Sequence, residues 1–278
     1  MIKAVRIHRT GGPEVLRYED VDLAEPGEGQ ALVRHTAIGL NYIDTYHRSG
    51  LYPLALPSGI GLEGAGVVEK VGRGVTLVKA GDRVAYAGGA PGAYAEARVI
   101  AADRLVLLPA GISDPQAAAM MLQGMTVQYL LRRTYRVQPG DTILIHAAAG
   151  GVGLIACQWA KALGATIIGT VGSDEKAALA QAHGCDHPIV YTRENFPQRV
   201  REITGGAGVP VVYDSIGKDT FAGSLDCLRP CGLMVTFGNA SGPLPPFALG
   251  PLAAPGSLFL ARPTLMTYTA TRKDLEAT

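Results

Sequence analysis

Up to about residue 100 the apolar positions come in short alternating runs, Met1 to Ile7, Gln30 to Ala37, Ala65 to Val71 and Arg83 to Ala87. Turn clusters such as Gly11-Gly12-Pro13, Pro26-Gly27-Glu28-Gly29 and Ala80-Gly81-Asp82 separate them. Period-two alternation between such breaks predicts half-buried strands, and this many in succession predict a compact barrel. One polar helical segment interrupts the series, Asn41 to Arg48, with Tyr42 and Tyr46 one turn apart on the same face. It precedes a Gly-rich loop, Gly59 to Gly64.

From Asp114 the rhythm turns helical, through Ala117 to Leu122 and Thr126 to Arg133, so a domain boundary is expected near Gly124. Beyond Gln138-Pro139-Gly140-Asp141 the strand candidates are Thr142 to Ile145, Thr166 to Val171, Pro188 to Tyr191, Val209 to Asp214, Gly232 to Phe237 and Ser257 to Ala261. Helical segments near Asp174 to His183, Asn195 to Thr204 and Thr220 to Leu228 lie between most of them. Six strands with helical crossovers predict an α/β domain with a doubly wound parallel sheet.

Composition narrows the function. With 47% hydrophobic, 18% charged and 6% aromatic residues the chain reads as globular. A net charge of +1 without a basic run argues against nucleic acid as a partner and makes small molecules the expected ones. The amino terminus is too short and too alternating for a signal peptide and no apolar stretch reaches spanning length, so the expectation is a cytoplasmic protein without a membrane segment. Cys157, Cys185, Cys227 and Cys231 are scattered and read as small buried hydrophobes.

The stretch with the clearest chemistry runs from Thr142 through His146-Ala147-Ala148-Ala149-Gly150-Gly151-Val152-Gly153 to Gly164: an apolar strand, a small-residue turn and an amphipathic helix. A helix start leaves amides unpaired at the positive end of the dipole, which suits a pyrophosphate. Read as a dinucleotide fingerprint, Gly150 gives close backbone approach and Gly153 helix-strand packing, while Ala148 stands where the turn-forming glycine belongs. The second strand ends Gly172-Ser173-Asp174-Glu175-Lys176. An uncharged strand end followed by Lys176 reads as NADPH; the opposing reading makes Asp174 the ribose ligand of NADH and Lys176 a solvated helix charge.

Several pieces together, Asn41-Tyr42-Ile43-Asp44-Thr45-Tyr46, Arg48-Ser49-Gly50-Leu51-Tyr52-Pro53, His146 to Gly153, Val212-Tyr213-Asp214-Ser215 and Phe237-Gly238-Asn239, resemble the zinc-independent quinone oxidoreductases, the zeta-crystallin-like branch of the medium-chain dehydrogenase/reductase superfamily. The resemblance covers nearly the whole chain. It implies a GroES-like β-barrel catalytic domain (residues 1–124), a Rossmann domain (125–264) with NADPH in the cleft between them, and reduction of quinones or related conjugated carbonyls. The nicotinamide end would meet Asn41, Tyr46 and Tyr129, and the pyrophosphate Gly150, Gly151 and Val152. Gly172, Ser173 and Lys176 would take the 2'-phosphate, Tyr191 the adenine ribose, and Ile216, Gly238, Asn239 and Leu265 the remaining wall. A homodimer through the sheet edge near Ser257 to Ala261 is also implied.

Zinc relatives of this superfamily supply a cysteine and a His-Glu pair where this chain has Asn41 to Asp44 and Gly61-Leu62-Glu63, so no metal is expected. Glu63 reads as a buried or packing carboxylate and His47 as a satisfied surface histidine. Direct hydride transfer to a quinone is the expected chemistry, with Asn41 and Tyr46 as the catalytic candidates: both are placed to hydrogen-bond a developing oxyanion, or Tyr46 is a stacking wall for the nicotinamide. Reduction of an alkenal or enone double bond is the neighbouring alternative, and a crystallin-like or RNA-binding role the alternative from another class. Residues 265–278 read as the start of a return to the catalytic domain that such relatives complete, so the chain looks shortened, with exposed strand edges and impaired activity as the expected cost.

Overall fold

The computed structural model describes residues 1–253 and 256–278. The chain forms two units, Met1–Met125 with Leu265–Thr278, and Thr126–Thr264.

The first unit is built on two antiparallel sheets. In one, β1 (Ile2–Ile7) pairs with β2 (Leu16–Val21) along its whole length and with the short β4 (Ser58–Gly59). The other has the order β7-β3-β5-β6-β8, from β3 (Gln30–Gly39), β5 (Glu63–Val71), β6 (Arg83–Ala87), β7 (Ala97–Ala101) and β8 (Val106–Leu107). The two sheets meet where Val5 N donates to Tyr94 O and Glu96 N to Lys3 O, at 2.7 and 3.0 Å, which closes the barrel at that corner. Inward-facing Val33, Val68, Val84, Tyr86 and Leu105 make its core. Alternation predicted β1, β3, β5 and β6; β2 escaped because Leu16 to Val21 is largely polar, and β7 was not among the predicted runs.

Helix α1 (Tyr42–Ser49) crosses the loop between β3 and β4; Asn41 and Asp44 form a reciprocal capping box at its start and Gly50, at φ 84°, closes it. Helix α2 (Asp114–Tyr129) begins on Asp114, whose carboxylate takes two bonds from Arg83. A single π turn over Leu130–Thr134 continues it.

In the second unit six parallel strands, β9 (Thr142–Ile145), β10 (Thr166–Val171), β11 (His187–Val190), β12 (Val209–Asp214), β13 (Leu228–Thr236) and β14 (Phe259–Ala261), lie in the order β11-β10-β9-β12-β13-β14. This is the doubly wound order of dinucleotide-binding sheets, with its reversal between β9 and β12. Helices α3 (Gly151–Ala162), α4 (Asp174–Ala182), α5 (Phe196–Ile203), α6 (Phe221–Asp226) and the short α7 (Gly250–Ala253) occupy the crossovers. Leu144, Ile168, Val212 and Met234 from four neighbouring strands pack on Val200, Phe221 and Leu225. Strand β13 starts earlier than predicted and carries a left-handed residue, Cys231 at φ 57°, which leaves that thiol exposed. Only the other three cysteines are the buried small hydrophobes expected of all four.

Two last helices, α8 (Leu265–Tyr268) and α9 (Arg272–Ala277), belong to the first unit. Arg104 donates to Thr269 O and Ala270 O at 2.7 and 2.9 Å, and Arg272 to Asp103 O at 3.1 Å, which anchors the segment to the loop before β8.

Candidate functional site

The carboxyl end of β9 turns through His146 to Gly150 into α3. Gly150 is its N-cap in extended conformation, and the amides of Gly151 and Val152 in the first turn have no partner within the helix. Gly150 and Gly151 are exposed, so these amides are accessible to an anion. Gly153 is required by packing: a Cβ there would lie 2.3 Å from Ala147 O and 2.7 Å from Ala148 O, both backbone atoms. The left-handed residue of the turn is Ala147, at φ 53°, while Ala148 has an ordinary φ. The departure from the fingerprint at Ala148 therefore needs no glycine. Its methyl fills the space left by Gly169 on β10, where a Cβ would approach Ala148 Cβ to 2.6 Å.

At the end of β10, Ser173 caps α4 by accepting Lys176 N at 3.3 Å. Asp174, the carboxylate of the opposing reading, is held by a two-pronged pair with Arg193 at 2.6 and 2.8 Å. Sequence reasoning missed Arg193, since it lies one strand away, after β11. Tyr191 is exposed, and its hydroxyl stands 3.1 Å from where a Cβ on Gly172 would be. Gly172, Ser173, Lys176 and Tyr191 are thus neighbours. Ile216 follows β12, and Gly238 follows β13 against it: a Cβ on Gly238 would meet Ser215 O at 2.4 Å. Asn239 comes next in that loop; Tyr129 closes α2 and is buried.

Below this rim lie buried polar groups: His146 just after β9, Thr170 on β10, Asp214 on β12 and Ser224 on α6. His146 bonds Thr170 Oγ1 through Nδ1 at 2.8 Å and Ser224 Oγ through Nε2 at 2.9 Å. Burial lowers the pKa of the His146 imidazole from its ordinary value, which favours the uncharged ring.

In the first unit the candidate residues surround a buried carboxylate. Glu63 on β5 is fully buried; Oε2 accepts Asn41 Nδ2 at 2.6 Å and Oε1 accepts Leu122 N at 2.9 Å. Burial pushes its pKa up. Gly39 makes the room, because a Cβ there would sit 2.4 Å from Glu63 Oε2. Asn41 is clamped at its other end by Gln123 Nε2 at 3.3 Å. Asp44, also buried and raised in pKa by burial, accepts Asn41 N at 3.0 Å and Tyr94 Oη at 2.7 Å. Tyr46 is buried and packs edge-on against Tyr42 and tilted against Tyr52, with ring centroids 5.4 and 5.1 Å apart. Leu265 is buried at the start of α8.

His47 departs from expectation. It is half-buried, its Nδ1 is shut from solvent without a hydrogen-bond partner, and burial lowers its pKa. It is neither at the surface nor satisfied at Nδ1, and the Tyr52 ring, centroids 6.0 Å away, lies against it.

Residues 27–110 match the alcohol dehydrogenase GroES-like domain and residues 151–275 the zinc-binding dehydrogenase domain. The chain is 59% identical to a quinone oxidoreductase of Pseudomonas aeruginosa over 278 residues, all of this chain and 86% of that protein. The chain belongs to the quinone oxidoreductase family. Within this family, in the medium-chain dehydrogenase/reductase superfamily, its fold superimposes on the crystal structure of Escherichia coli quinone oxidoreductase complexed with NADPH with a TM-score of 0.98 and 54% identity, covering 99% of this chain and 85% of that one. A 2-haloacrylate reductase of Burkholderia sp. is 48% identical over 283 residues, 99% of this chain and 85% of that protein.

The zinc named in the domain description does not fit these residues. Asn41 spends its amide on Glu63, Leu62 is an apolar core residue, and among the described residues no group of three His, Cys, Asp or Glu side chains is close enough to hold a metal ion. Among the described residues no helix is long and apolar enough to cross a membrane.

Proposed function

We propose that this member of the quinone oxidoreductase family is an NADPH-dependent quinone reductase that works without a metal. The observation that carries the cofactor choice is the end of β10: Asp174 is engaged by Arg193, and Ser173 and Lys176 remain as the groups for a 2'-phosphate. When bound, NADPH supplies the hydride. The protein's part is to bind, orient and exclude water. Gly150, Gly151 and Val152 hold the pyrophosphate, Gly172, Ser173 and Lys176 the 2'-phosphate, and Tyr191 the adenine ribose. Ile216, Gly238 and Asn239 line the nucleotide further along, and Asn41, Tyr46, Tyr129 and Leu265 meet the nicotinamide end.

Asn41 enters this reading with one Nδ2 proton committed to Glu63, which leaves the other for a developing oxyanion. Tyr46, packed among tyrosine rings, serves as a wall for the reacting rings. The protein is a cytoplasmic homodimer in this reading, joined through β14, whose Phe259 is 59% exposed.

The test is a titration of the purified protein with NADPH and NADH, followed by nicotinamide fluorescence, with 1,4-benzoquinone then added to the same sample. Tighter binding of NADPH and quinone-dependent oxidation are expected. Binding without quinone turnover, but with turnover of a conjugated enone, would move the chain to carbon-carbon double-bond reduction; no binding of either nucleotide would refute the enzyme reading.

A further inference from the structure

The buried polar groups under the nucleotide rim leave little freedom in where their protons sit. Asp214 Oδ1 accepts Ile216 N at 2.7 Å and Gly217 N at 3.0 Å; Oδ2 accepts Thr220 Oγ1 at 2.7 Å and faces Ser224 Oγ at 3.2 Å. Ser224 has one proton and three neighbours to take it: Asp214 Oδ2 and Thr220 O, the latter at 2.8 Å, and His146 Nε2, which accepts only in the Nδ1–H tautomer. Donation to His146 would leave Ser224 Oγ facing both the Asp214 oxygen and the Thr220 carbonyl with no proton toward either, whereas donation to one of these leaves Oγ an acceptor toward His146; the geometry therefore favours Nε2 as the nitrogen that carries and donates the imidazole proton. Nδ1 is then bare and accepts from Thr170 Oγ1. The edge of the Phe196 or His146 ring meets its neighbour's face at a centroid distance of 5.1 Å, an apolar contact that suits a neutral imidazole.

These bonds tie together the pieces of backbone that surround the proposed nucleotide site. Asp214 fixes the 215–217 loop, and Thr170 on β10 also supplies the carbonyl that accepts Ala148 N at 3.0 Å. His146 is the residue immediately before Ala147, whose left-handed conformation aims the chain into α3. Such a conformation on a residue with a side chain costs about 1 kcal/mol or more and persists only where its surroundings hold it.

We propose that Asp214, Ser224, His146 and Thr170 form a buried relay of positioning residues, polarised by the Asp214 carboxylate with His146 locked as its Nε2–H tautomer, that holds the pyrophosphate turn and the 215–217 loop in binding geometry. All four are too buried to touch the cofactor or substrate. The proposal rests on the nucleotide-binding reading above.

Two measurements test it. Nitrogen-15 spectra of histidine-labelled wild type should show His146 with a protonated Nε2 and a bare Nδ1, unchanged from pH 6 to 8; an Nδ1–H tautomer overturns the relay. Thr170→Val keeps the shape and removes the hydroxyl. It should raise the dissociation constant of NADPH about tenfold, while that of adenosine 2'-monophosphate, which reaches only the Ser173 and Lys176 end, changes less than twofold, and Thr170→Ser should restore NADPH binding. Equal weakening of both ligands, or of neither, overturns the positioning role. Should Thr170→Val not fold, Ser224→Ala is read for the same split. A wild type that binds neither ligand refutes the nucleotide-binding reading itself, and the relay's role with it, while the tautomer is still read from the spectrum.

Discussion

Gly153→Ala is the most direct trial of how the nucleotide turn is built. The added methyl would stand 2.3 Å from Ala147 O and 2.7 Å from Ala148 O. Neither obstacle is a side chain that can rotate away. A carbon and a carbonyl oxygen settle at about 3.3 Å, so the first turn of α3 must retreat from the end of β9 by roughly 1 Å. Overpacking of this kind costs about 1–3 kcal/mol, and alanine returns close to 1 kcal/mol in helix propensity. The net loss of about 1–2 kcal/mol lowers the melting temperature by roughly 2–8 °C for a protein of this size. Binding suffers more than stability, because the retreat carries the Gly151 and Val152 amides away from the anion they are placed to meet. Losing one charge-assisted bond of about 1.5–3 kcal/mol weakens NADPH about 10- to 100-fold. Calorimetric titration with NADPH alongside thermal unfolding reads both. Wild-type affinity in a folded Gly153→Ala protein would refute the claim that this turn is set by close packing against Ala147 and Ala148.

Lys176→Ala is expected to weaken NADPH about five- to tenfold and leave NADH unchanged in parallel fluorescence titrations; equal losses would take Lys176 out of the 2'-phosphate site. Tyr46→Phe is expected to keep turnover at saturating quinone within about threefold, in line with a ring that packs on Tyr42 and Tyr52, whereas a fall beyond about a hundredfold would make its hydroxyl the proton donor. Burial raises the pKa of Glu63 from its usual 4.5, so the folded protein holds this proton more tightly than the unfolded chain does. The stabilising contribution of Glu63 is therefore complete below pH 4.5 and fades as pH rises through the raised value. The unfolding free energy of wild type minus that of Glu63→Gln should decline over that window in denaturant titrations, and a difference flat in pH would contradict it.

Much of this was readable from the chain, for reasons that can be named. The β9, β10 and β12 strands are buried on both faces and so appear as short apolar runs, which their length, β-branched content and flanking turns separate from buried helix. Asn41 announces α1 because it caps it, and Ser173 announces α4 in the same way. What stayed hidden depends on residues distant in sequence. Arg193 finds Asp174 across 19 positions, Glu63 finds Leu122 across 59, and the clamp on the Asn41 amide comes from Gln123, 82 positions on. Local pattern has no access to such pairs. A partial signal existed: His146, Thr170 and Asp214 are polar residues set in or just after apolar strands, and a polar side chain carried there into a core must find partners.

The turn after β9 shows why a fingerprint is better read as a set of physical demands than as letters. The demands are a left-handed residue, an open N-terminus and close helix-strand contact. Here the first is met by Ala147, one place before the expected glycine, and the third by Gly153. The volume that Ala148 adds is accommodated on the neighbouring strand by Gly169, against which Cys185 also packs. Glycine has in effect moved from the turn to the strand that faces it. Any side chain at 169 would press on Ala148 and Cys185 together, so the tolerance for alanine in the turn belongs to the pair of strands.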